Sequence, residues 1–149
     1  MTEYYELLAE QMETVLEKEW PPVSNLGNAA GVLYHGMEQI NWAGFYLRQE
    51  DILWLGPFQG KPACVRIELG KGVCGTAALQ ERTQVVEDVH QFPGHIACDA
   101  ASRSEIVIPL FKDGEVFGVL DIDSPVTGRF REEDREGLEA IARLIEKVI

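Results

Sequence analysis

The apolar positions at the two ends of the chain recur at the spacing of amphipathic helices. Over residues 2–20 they fall at three- and four-residue steps, and Pro21-Pro22 is expected to stop this first helix. Ser24 is the predicted N-cap of a second helix that runs to about Met37. The helical period returns over residues 132–148, so the pattern predicts a final amphipathic helix there.

Between the second and the last helix the pattern changes to that of strands. A short helix ending near Glu81 interrupts the strands, and residues 88–103 show neither period. A loop of that length in a compact domain is usually functional, because ordinary connections are shorter. The predicted strands cover residues 40–48, 51–58, 65–69, 83–87, 104–111 and 115–124.

This order of elements predicts one α+β domain over residues 1–149. A central antiparallel sheet would carry helices on one face and leave the other face free to hold a ligand. The length of 149 residues and an apolar content of 46% are sufficient to bury one core. No internal repeat or linker divides the chain.

Charge and cysteine content narrow the classes of function. The formal charge of −12 repels phosphate backbones and anionic membrane surfaces, which argues against nucleic acid and membranes as partners. The acidic residues either form a solvated surface or favour a cationic ligand. No apolar stretch is long enough for a membrane span and no secretory signal is visible, so we expect a cytoplasmic protein. Three cysteines in a reducing compartment are then packing residues, metal ligands or redox groups.

The turn at residues 112–114 decides the register of the last two strands. A three-residue loop with its glycine in the left-handed region places Glu105 opposite Asp121, with Asp123 on the same face. A two-residue loop would set Ile106 against Asp121 and scatter apolar and acidic residues over both faces. The three-residue loop is therefore the preferred prediction, because it keeps one face apolar.

The preferred register gathers three carboxylates at one end of an apolar sheet face. Like charges directly opposite one another are destabilising unless a cation lies between them. The cation could be a metal, a protein arginine or the ammonium group of a ligand. A solvated strand end, or pairing with Arg103 or Arg129, is the structural alternative.

The first strand supplies a candidate apolar wall for a ligand. Trp42, Gly44 and Tyr46 share one face by the two-residue period, and Gly44 is expected to leave a gap between two aromatic rings. Such a gap could hold a methyl or thioether group or enclose a cation. Ordinary core packing explains the same aromatic residues.

The cysteines fall in one part of the chain, at Cys64, Cys74 and Cys98. A metal site built from His90, His95, Cys98 and Asp99 lacks any recognised ligand spacing, so we expect no metal. A cysteine phosphatase is excluded, because the arginine that it needs falls one position short. Thiol redox chemistry remains, in which a sulfenic acid condenses with a second cysteine and an external dithiol reduces the product.

Several motifs resemble those of free methionine-(R)-sulfoxide reductases of the GAF-domain class. The similarity covers about residues 41–130, and generic GAF domains lack this set of three cysteines. The motifs are Gly56-Pro57-Phe58-Gln59-Gly60, Ala63-Cys64-Val65-Arg66-Ile67, Gly72-Val73-Cys74-Gly75-Thr76-Ala77, Asp88-Val89-His90, Gly94-His95-Ile96-Ala97-Cys98-Asp99 and Gly118-Val119-Leu120-Asp121-Ile122-Asp123-Ser124.

The resemblance implies a GAF-like fold and reduction of free L-methionine-(R)-sulfoxide with electrons from thioredoxin and no bound cofactor. It implies that Cys98 is the nucleophile, Cys64 its resolving partner and Cys74 an auxiliary thiol that could exchange roles with either. The family pattern further implies that the substrate is bound by Trp42 and Tyr46 at its methyl end and by Glu105, Asp121 and Asp123 at its ammonium group.

Two further expectations accompany the resemblance. The terminal amphipathic helices permit a homodimer, as the family also suggests. The alternative function is a non-catalytic GAF sensor that binds a small molecule and signals through its helices. Three cysteines and the lack of an output domain argue against the sensor.

Overall fold

The computed structural model describes residues 1–95 and 100–149. In those residues it contains four α-helices and a six-stranded antiparallel sheet of order β3-β2-β1-β6-β5-β4. The elements are α1 Glu3–Thr14, α2 Pro22–Gly36, β1 Trp42–Gln49, β2 Ile52–Gly60, β3 Arg66–Glu68, α3 Gly72–Gln80, β4 Gln84–Val86, β5 Ser104–Lys112, β6 Glu115–Ser124 and α4 Glu132–Glu146, with a 3₁₀ turn at Val89–Gln91.

The predicted α+β class is confirmed, and the two faces of the sheet are covered unequally. The long helices α1, α2 and α4 pack on one face around an apolar core that includes Phe45, Ile108 and Leu120. The short helix α3 packs on the other face, against Val107 and Val119. That second face is therefore not fully free, and α3 becomes one wall of the space beside it.

The predicted register of the β5–β6 hairpin is wrong by two residues. The turn contains only Asp113 and Gly114, both with positive φ (54° and 80°), as a two-residue primed turn requires. A bulge then leaves Phe117 as an extra residue on β6, because Leu110 pairs with Gly118 while the next residue pairs with Val116. Glu105 consequently lies opposite Asp123, and Val107 lies opposite Asp121.

The shorter turn and the bulge each shift the pairing by one residue, and together they keep the side chains on their predicted faces of the sheet. A shift by one residue moves every side chain to the opposite face, but a shift by two restores it. The carboxylates of β5 and β6 therefore still share the face predicted for them. The two-residue turn does not scatter apolar and acidic residues, since the bulge corrects the alternation beyond it.

Both N-terminal helices differ from their predicted bounds. α1 ends at Thr14, well before Pro21. In the segment that follows, the buried side chain of Asn25 accepts a hydrogen bond from the N–H of Glu17 at 3.0 Å and donates one to the carbonyl of Glu17 at 2.8 Å. Pro21, rather than Ser24, is the N-cap of α2. No helix among the described residues is long and apolar enough to cross a membrane.

Candidate active site

Neighbouring strands place three of the predicted site residues in one row across the sheet. Trp42 of β1 pairs with Asp123 of β6, and Asp123 pairs with Glu105 of β5. Asp121 lies in the next row, between Gly44 and Val107. Side chains two residues apart on a strand share a face, so both aspartates and Glu105 project toward the same space.

Helix α3 brings Cys74 onto this acidic group. The Cys74 thiol donates to Oε2 of Glu105 with an Sγ···Oε2 distance of 3.9 Å. One ligand atom each from Cys74, Glu105 and Asp121 lies within 4.8 Å of the others. The three residues are only 5%, 7% and 5% exposed, so the cluster is almost completely removed from water.

Burial determines the protonation of this cluster. It raises the pKa of Glu105 well above its usual value, and the negative charges of Asp121 and Asp123 raise it further. Burial also raises the pKa of Asp121, although the neighbouring Glu105 and Cys74 side chains act in the opposite direction. Burial therefore favours the protonated form of both carboxyl groups, and only for Asp121 do neighbouring side chains offset part of this effect.

The same surroundings keep the Cys74 thiol neutral. Burial raises its pKa, and the charges of Asp121, Glu105 and Asp123 add to the effect. A neutral thiol donates a hydrogen bond and is a poor nucleophile. Meanwhile Oδ1 of Asp121 is buried and accepts no hydrogen bond from any described residue. A buried carboxylate oxygen of this kind calls for a donor or a cation from a bound ligand.

An aromatic wall stands beside the acidic cluster. The rings of Trp42 and Tyr46 are nearly parallel, with centroids 5.9 Å apart, and Trp42 also stacks on Phe58 at 5.2 Å. The predicted gap at Gly44 is wrong, because strand β2 fills it. A Cβ atom built on Gly44 would lie 2.7 Å from the Cα of Phe58. The rings therefore form one surface against which a ligand can lie, and they do not enclose the ligand from two sides.

Both aromatic residues also hold the segment that carries Cys64. The Trp42 indole N–H donates to the carbonyl of Lys61 at 3.0 Å, and the Tyr46 hydroxyl donates to the carbonyl of Cys64 at 2.8 Å. Cys64 is half-buried at the edge of the apolar cluster on this face. The wall residues thus fix the position of the Cys64 backbone relative to the acidic cluster.

The acidic cluster and the aromatic wall line one cavity, which has an empty volume of about 540 Å³ counted to its opening. Cys74, Glu105, Asp121, Asp123, Trp42 and Tyr46 all line it. Sequence reasoning missed other lining residues, notably Lys71 and Ser102. Lys71 directly precedes the glycine-rich start of α3, and this position was the signal available in the sequence. A residue at the start of α3 can face the cavity that the helix bounds.

The three cysteines differ in state. Cys64 is disulfide-bonded, Cys74 is a free buried thiol, and Cys98 lies outside the described residues. Of the proposed histidine ligands, His90 is exposed and bonds to Asp88, while His95 lines the cavity and burial lowers its pKa. Asp99 also lies outside the described residues.

Comparisons with known proteins identify the family of this chain. The profile of the GAF domain matches residues 23–149. The free methionine-R-sulfoxide reductase of Escherichia coli K12 is 52% identical over 148 residues, covering 99% of this chain and 90% of the relative. The fRMsr of Staphylococcus aureus, solved in complex with substrate, is 57% identical with a TM-score of 0.91, covering 96% of this chain and 94% of that chain.

A third comparison extends the match to a more distant relative. The free methionine-R-sulfoxide reductase of Neisseria meningitidis, solved in complex with its substrate, is 47% identical with a TM-score of 0.92 and covers 96% of this chain and 86% of that chain. The chain belongs to the GAF-domain family and, within it, to the free methionine-R-sulfoxide reductases, a class of oxidoreductases.

Proposed function

We propose that this protein reduces free L-methionine-(R)-sulfoxide to L-methionine. The observation that carries the proposal is that the same cavity contains a buried acidic cluster at one end and an aromatic wall beside it. Methionine sulfoxide has the complementary chemistry, because it bears an ammonium group at one end and a sulfoxide sulfur with a methyl group at the other. The relatives named for this activity and solved with substrate support the same assignment.

The substrate ammonium group binds at Asp121 and Asp123. A cation there meets the orphaned Oδ1 of Asp121 and removes the repulsion between neighbouring acidic side chains. The methyl end lies against Trp42 and Tyr46, whose faces are apolar and polarisable. Binding at both ends positions the sulfur between them, so the two epimers of the sulfoxide present their oxygen in different directions.

The chemical step transfers oxygen from the substrate to a cysteine. The Cys98 thiolate attacks the sulfoxide sulfur and forms an S–S bond while the oxygen takes up one proton. The S–O and S–S bonds then break as the hydroxyl group passes to Cys98, which leaves methionine and a sulfenic acid on Cys98. The Cys64 thiol then attacks the sulfenic sulfur, which releases water and forms a disulfide. A dithiol reductant then reduces this disulfide to two thiols and is itself oxidised to a disulfide.

Glu105 supplies the proton that the departing oxygen requires. Burial and two neighbouring carboxylates raise its pKa, which favours the protonated form that a general acid requires. The Cys74 thiol donates a hydrogen bond to Oε2 of Glu105. Cys74 is therefore assigned a positioning role beside the proton donor rather than a nucleophilic one.

Cys64 is the resolving thiol in this proposal. Its sulfur is engaged in a disulfide whereas Cys74 is a free, buried thiol with a raised pKa. The hydrogen bond from the Tyr46 hydroxyl to the Cys64 carbonyl keeps this cysteine beside the cavity. Cys64 is half-buried and follows the cavity-lining Ala63, so an external reductant reaches it more easily than the buried Cys74.

Thioredoxin is the proposed reductant, acting in the cytoplasm, because the mechanism needs a protein dithiol to open the Cys64 disulfide. A homodimer stays a prediction of the sequence, and sedimentation of the purified chain would measure it directly.

A coupled assay tests the proposal. Purified protein with thioredoxin, thioredoxin reductase and NADPH is supplied with the separated R and S epimers of free methionine sulfoxide. We expect NADPH oxidation with the R epimer alone. Cys98→Ser should abolish turnover while retaining methionine binding, measured by calorimetry, because the binding residues are intact.

Two results would reject the proposal. The first is tight binding of methionine sulfoxide by the unaltered protein with no turnover, which would favour the sensor alternative. The second is full activity of Cys98→Ser. Single-turnover reactions followed by mass spectrometry assign the resolving thiol, since Cys64→Ser should stop at the sulfenic acid whereas Cys74→Ser should still form the disulfide.

A further inference from the structure

The buried cluster of Cys74, Glu105 and Asp121 also has the composition of a metal site. It is the one group of three or more potential ligand residues found within residues 1–95 and 100–149. It combines one sulfur and two carboxylate donors, which come from α3, β5 and β6. Secondary structure elements, rather than a loop, therefore hold all three donors in place.

The distances within the cluster suit a small tetrahedral ion. Zinc–sulfur bonds of about 2.3 Å and zinc–oxygen bonds of about 2.1 Å at tetrahedral angles place sulfur and oxygen about 3.6 Å apart. The Cys74 Sγ to Glu105 Oε2 distance is 3.9 Å, and no separation among the three ligand atoms exceeds 4.8 Å. A displacement of about 1 Å would reduce the widest separation to this tetrahedral spacing, and water would take the fourth position.

A second, independent observation points to a bound cation at this place. Oδ1 of Asp121 is buried, yet it accepts no hydrogen bond from any described residue, and Asp121 is only 5% exposed. A buried carboxyl oxygen without a partner is destabilising unless a donor or a cation approaches it. A divalent ion that Cys74 and Glu105 also ligate would satisfy this oxygen.

We propose that the active-site cluster of Cys74, Glu105 and Asp121 binds a thiophilic divalent metal ion of the zinc class, and that the ion excludes the substrate ammonium group. The thiolate donor selects zinc or cadmium over magnesium or calcium, which prefer oxygen ligands alone. Binding is a ligand exchange without electron transfer. The ion takes the place of the protons on Cys74 and Glu105, which pass to solvent.

Proton release gives the site a defined pH dependence. Thiolate and carboxylate ligands must lose their protons to bind a metal ion, so the ion competes with protons on Cys74 and Glu105 and its affinity should increase with pH. The other titratable or charged groups that face the cluster from the cavity are Asp123, Tyr46, Lys71 and His95. Asp123 adds negative charge and strengthens cation binding, whereas Lys71 opposes it.

The expected inhibition of the enzyme by the metal ion rests on the proposed function, whereas metal binding itself does not. Binding and inhibition are therefore measured separately. Binding is tested on the full chain with Cys64→Ser and Cys98→Ser combined, which leaves Cys74 as the sole thiol. Cadmium is titrated while the ultraviolet charge-transfer absorption of a cadmium–thiolate bond is recorded. We expect saturation at one ion per chain and loss of the band when zinc is added.

Matched variants identify the ligands. Cys74→Ser in the same background should show no charge-transfer band, and its circular dichroism and thermal midpoint establish that it is folded. Glu105→Gln should weaken binding by at least about tenfold, the lower bound for losing even an outer partner of a metal ligand. Free methionine should displace the ion, whereas magnesium should not.

Defined outcomes overturn the inference. A chain with Cys74 as sole thiol that gives no band at equimolar cadmium contradicts it, as does binding that Glu105→Gln and Asp121→Asn leave unchanged. With the unaltered enzyme, zinc should raise the KM for methionine sulfoxide and leave kcat unchanged; inhibition that excess substrate does not relieve argues against this site. An inactive protein that still binds one cadmium would reject the proposed function alone.

Discussion

The two faces of the β5–β6 hairpin are built from adjacent residues and yet behave in opposite ways. On the helix-covered face, Ile106 and Ile122 are fully buried in the apolar core. On the cavity face, Glu105 and Asp121 are buried to almost the same extent, but they are acidic and have raised pKa values. Similar burial therefore stabilises the fold on one face and raises the pKa of carboxyl groups on the other.

The difference shows where this protein retains unfavourable interactions. Burial of apolar side chains lowers the free energy of the folded state, and their contacts hold the sheet against α1, α2 and α4. Removing water from Glu105 and Asp121 disfavours their charged forms and leaves one oxygen of Asp121 without a hydrogen bond among the described residues. Under the proposed function, a substrate that brings a cation and accepts a proton relieves this imbalance.

The largest effect that separates the two faces is expected for Glu105→Gln. It keeps the size and neutral charge of the protonated side chain but removes the transferable proton, so kcat should fall by about 10²- to 10⁴-fold. Its urea-induced unfolding should be unchanged or shifted to higher urea. The neighbouring control is Ile106→Ala, which should destabilise the fold and leave kcat per folded molecule unchanged. Full activity of Glu105→Gln would show that the proton comes from elsewhere.

A large effect on stability is expected for Ile122→Ala on the helix-covered face. Truncation of a fully buried isoleucine leaves a cavity in the core and should lower the free energy of unfolding by about 2–5 kcal/mol. Asp121→Asn at the adjacent position removes a buried charge and should cost far less stability. Denaturant titration of both variants provides the measurement. The comparison of the two faces fails if Asp121→Asn is the more destabilising change.

A smaller effect tests how tightly the helix-covered face is packed. A Cβ atom on Gly137 of α4 would overlap the ring of the buried Tyr5, so Gly137→Ala should destabilise by about 1–3 kcal/mol even though alanine favours helices. Gly31 of α2 has no atom within 4 Å of such a Cβ, so Gly31→Ala should stabilise by about 0.5–1 kcal/mol. Thermal unfolding distinguishes the two signs, and stabilisation by Gly137→Ala would contradict the close contact.

The most gradual effect is the pH dependence of stability that the cavity face produces. The pKa of Glu105 is higher in the folded chain than its ordinary value of 4.5, so its protonated form favours folding. This contribution is fully present below pH 4.5 and is lost as pH rises through the folded-state pKa. Asp121 acts with the same sign.

The measurement is the thermal midpoint as a function of pH for the unaltered protein and for Glu105→Gln. Because glutamine does not titrate, the variant should lose less stability than the unaltered protein as pH rises. Ile106→Ala is the control, since it should lower the midpoint by a similar amount at every pH. Parallel curves for the unaltered protein and Glu105→Gln would mean that Glu105 ionises as readily as an exposed carboxylate.

The sequence predicted the sheet faces better than it predicted the pairing between strands. The wrong loop length at Asp113-Gly114 still left Glu105, Asp121 and Asp123 on one face, because the bulge at Phe117 restored the alternation. A period of two residues belongs to each strand alone, so it can be read locally. The partner of each residue depends on turn and bulge geometry, which the alternation does not specify.

What the sequence determined by itself was the α+β class, the separation of acidic and apolar residues along β5 and β6, and the motifs of the three-cysteine family. The tertiary structure decided which groups meet. It placed Cys74 of α3 on Glu105 and Asp121, filled the space at Gly44 with Phe58, and brought Lys71 to the cavity. The physical reason is that burial and pKa depend on side chains distant in sequence, whereas periodicity and motif chemistry are local.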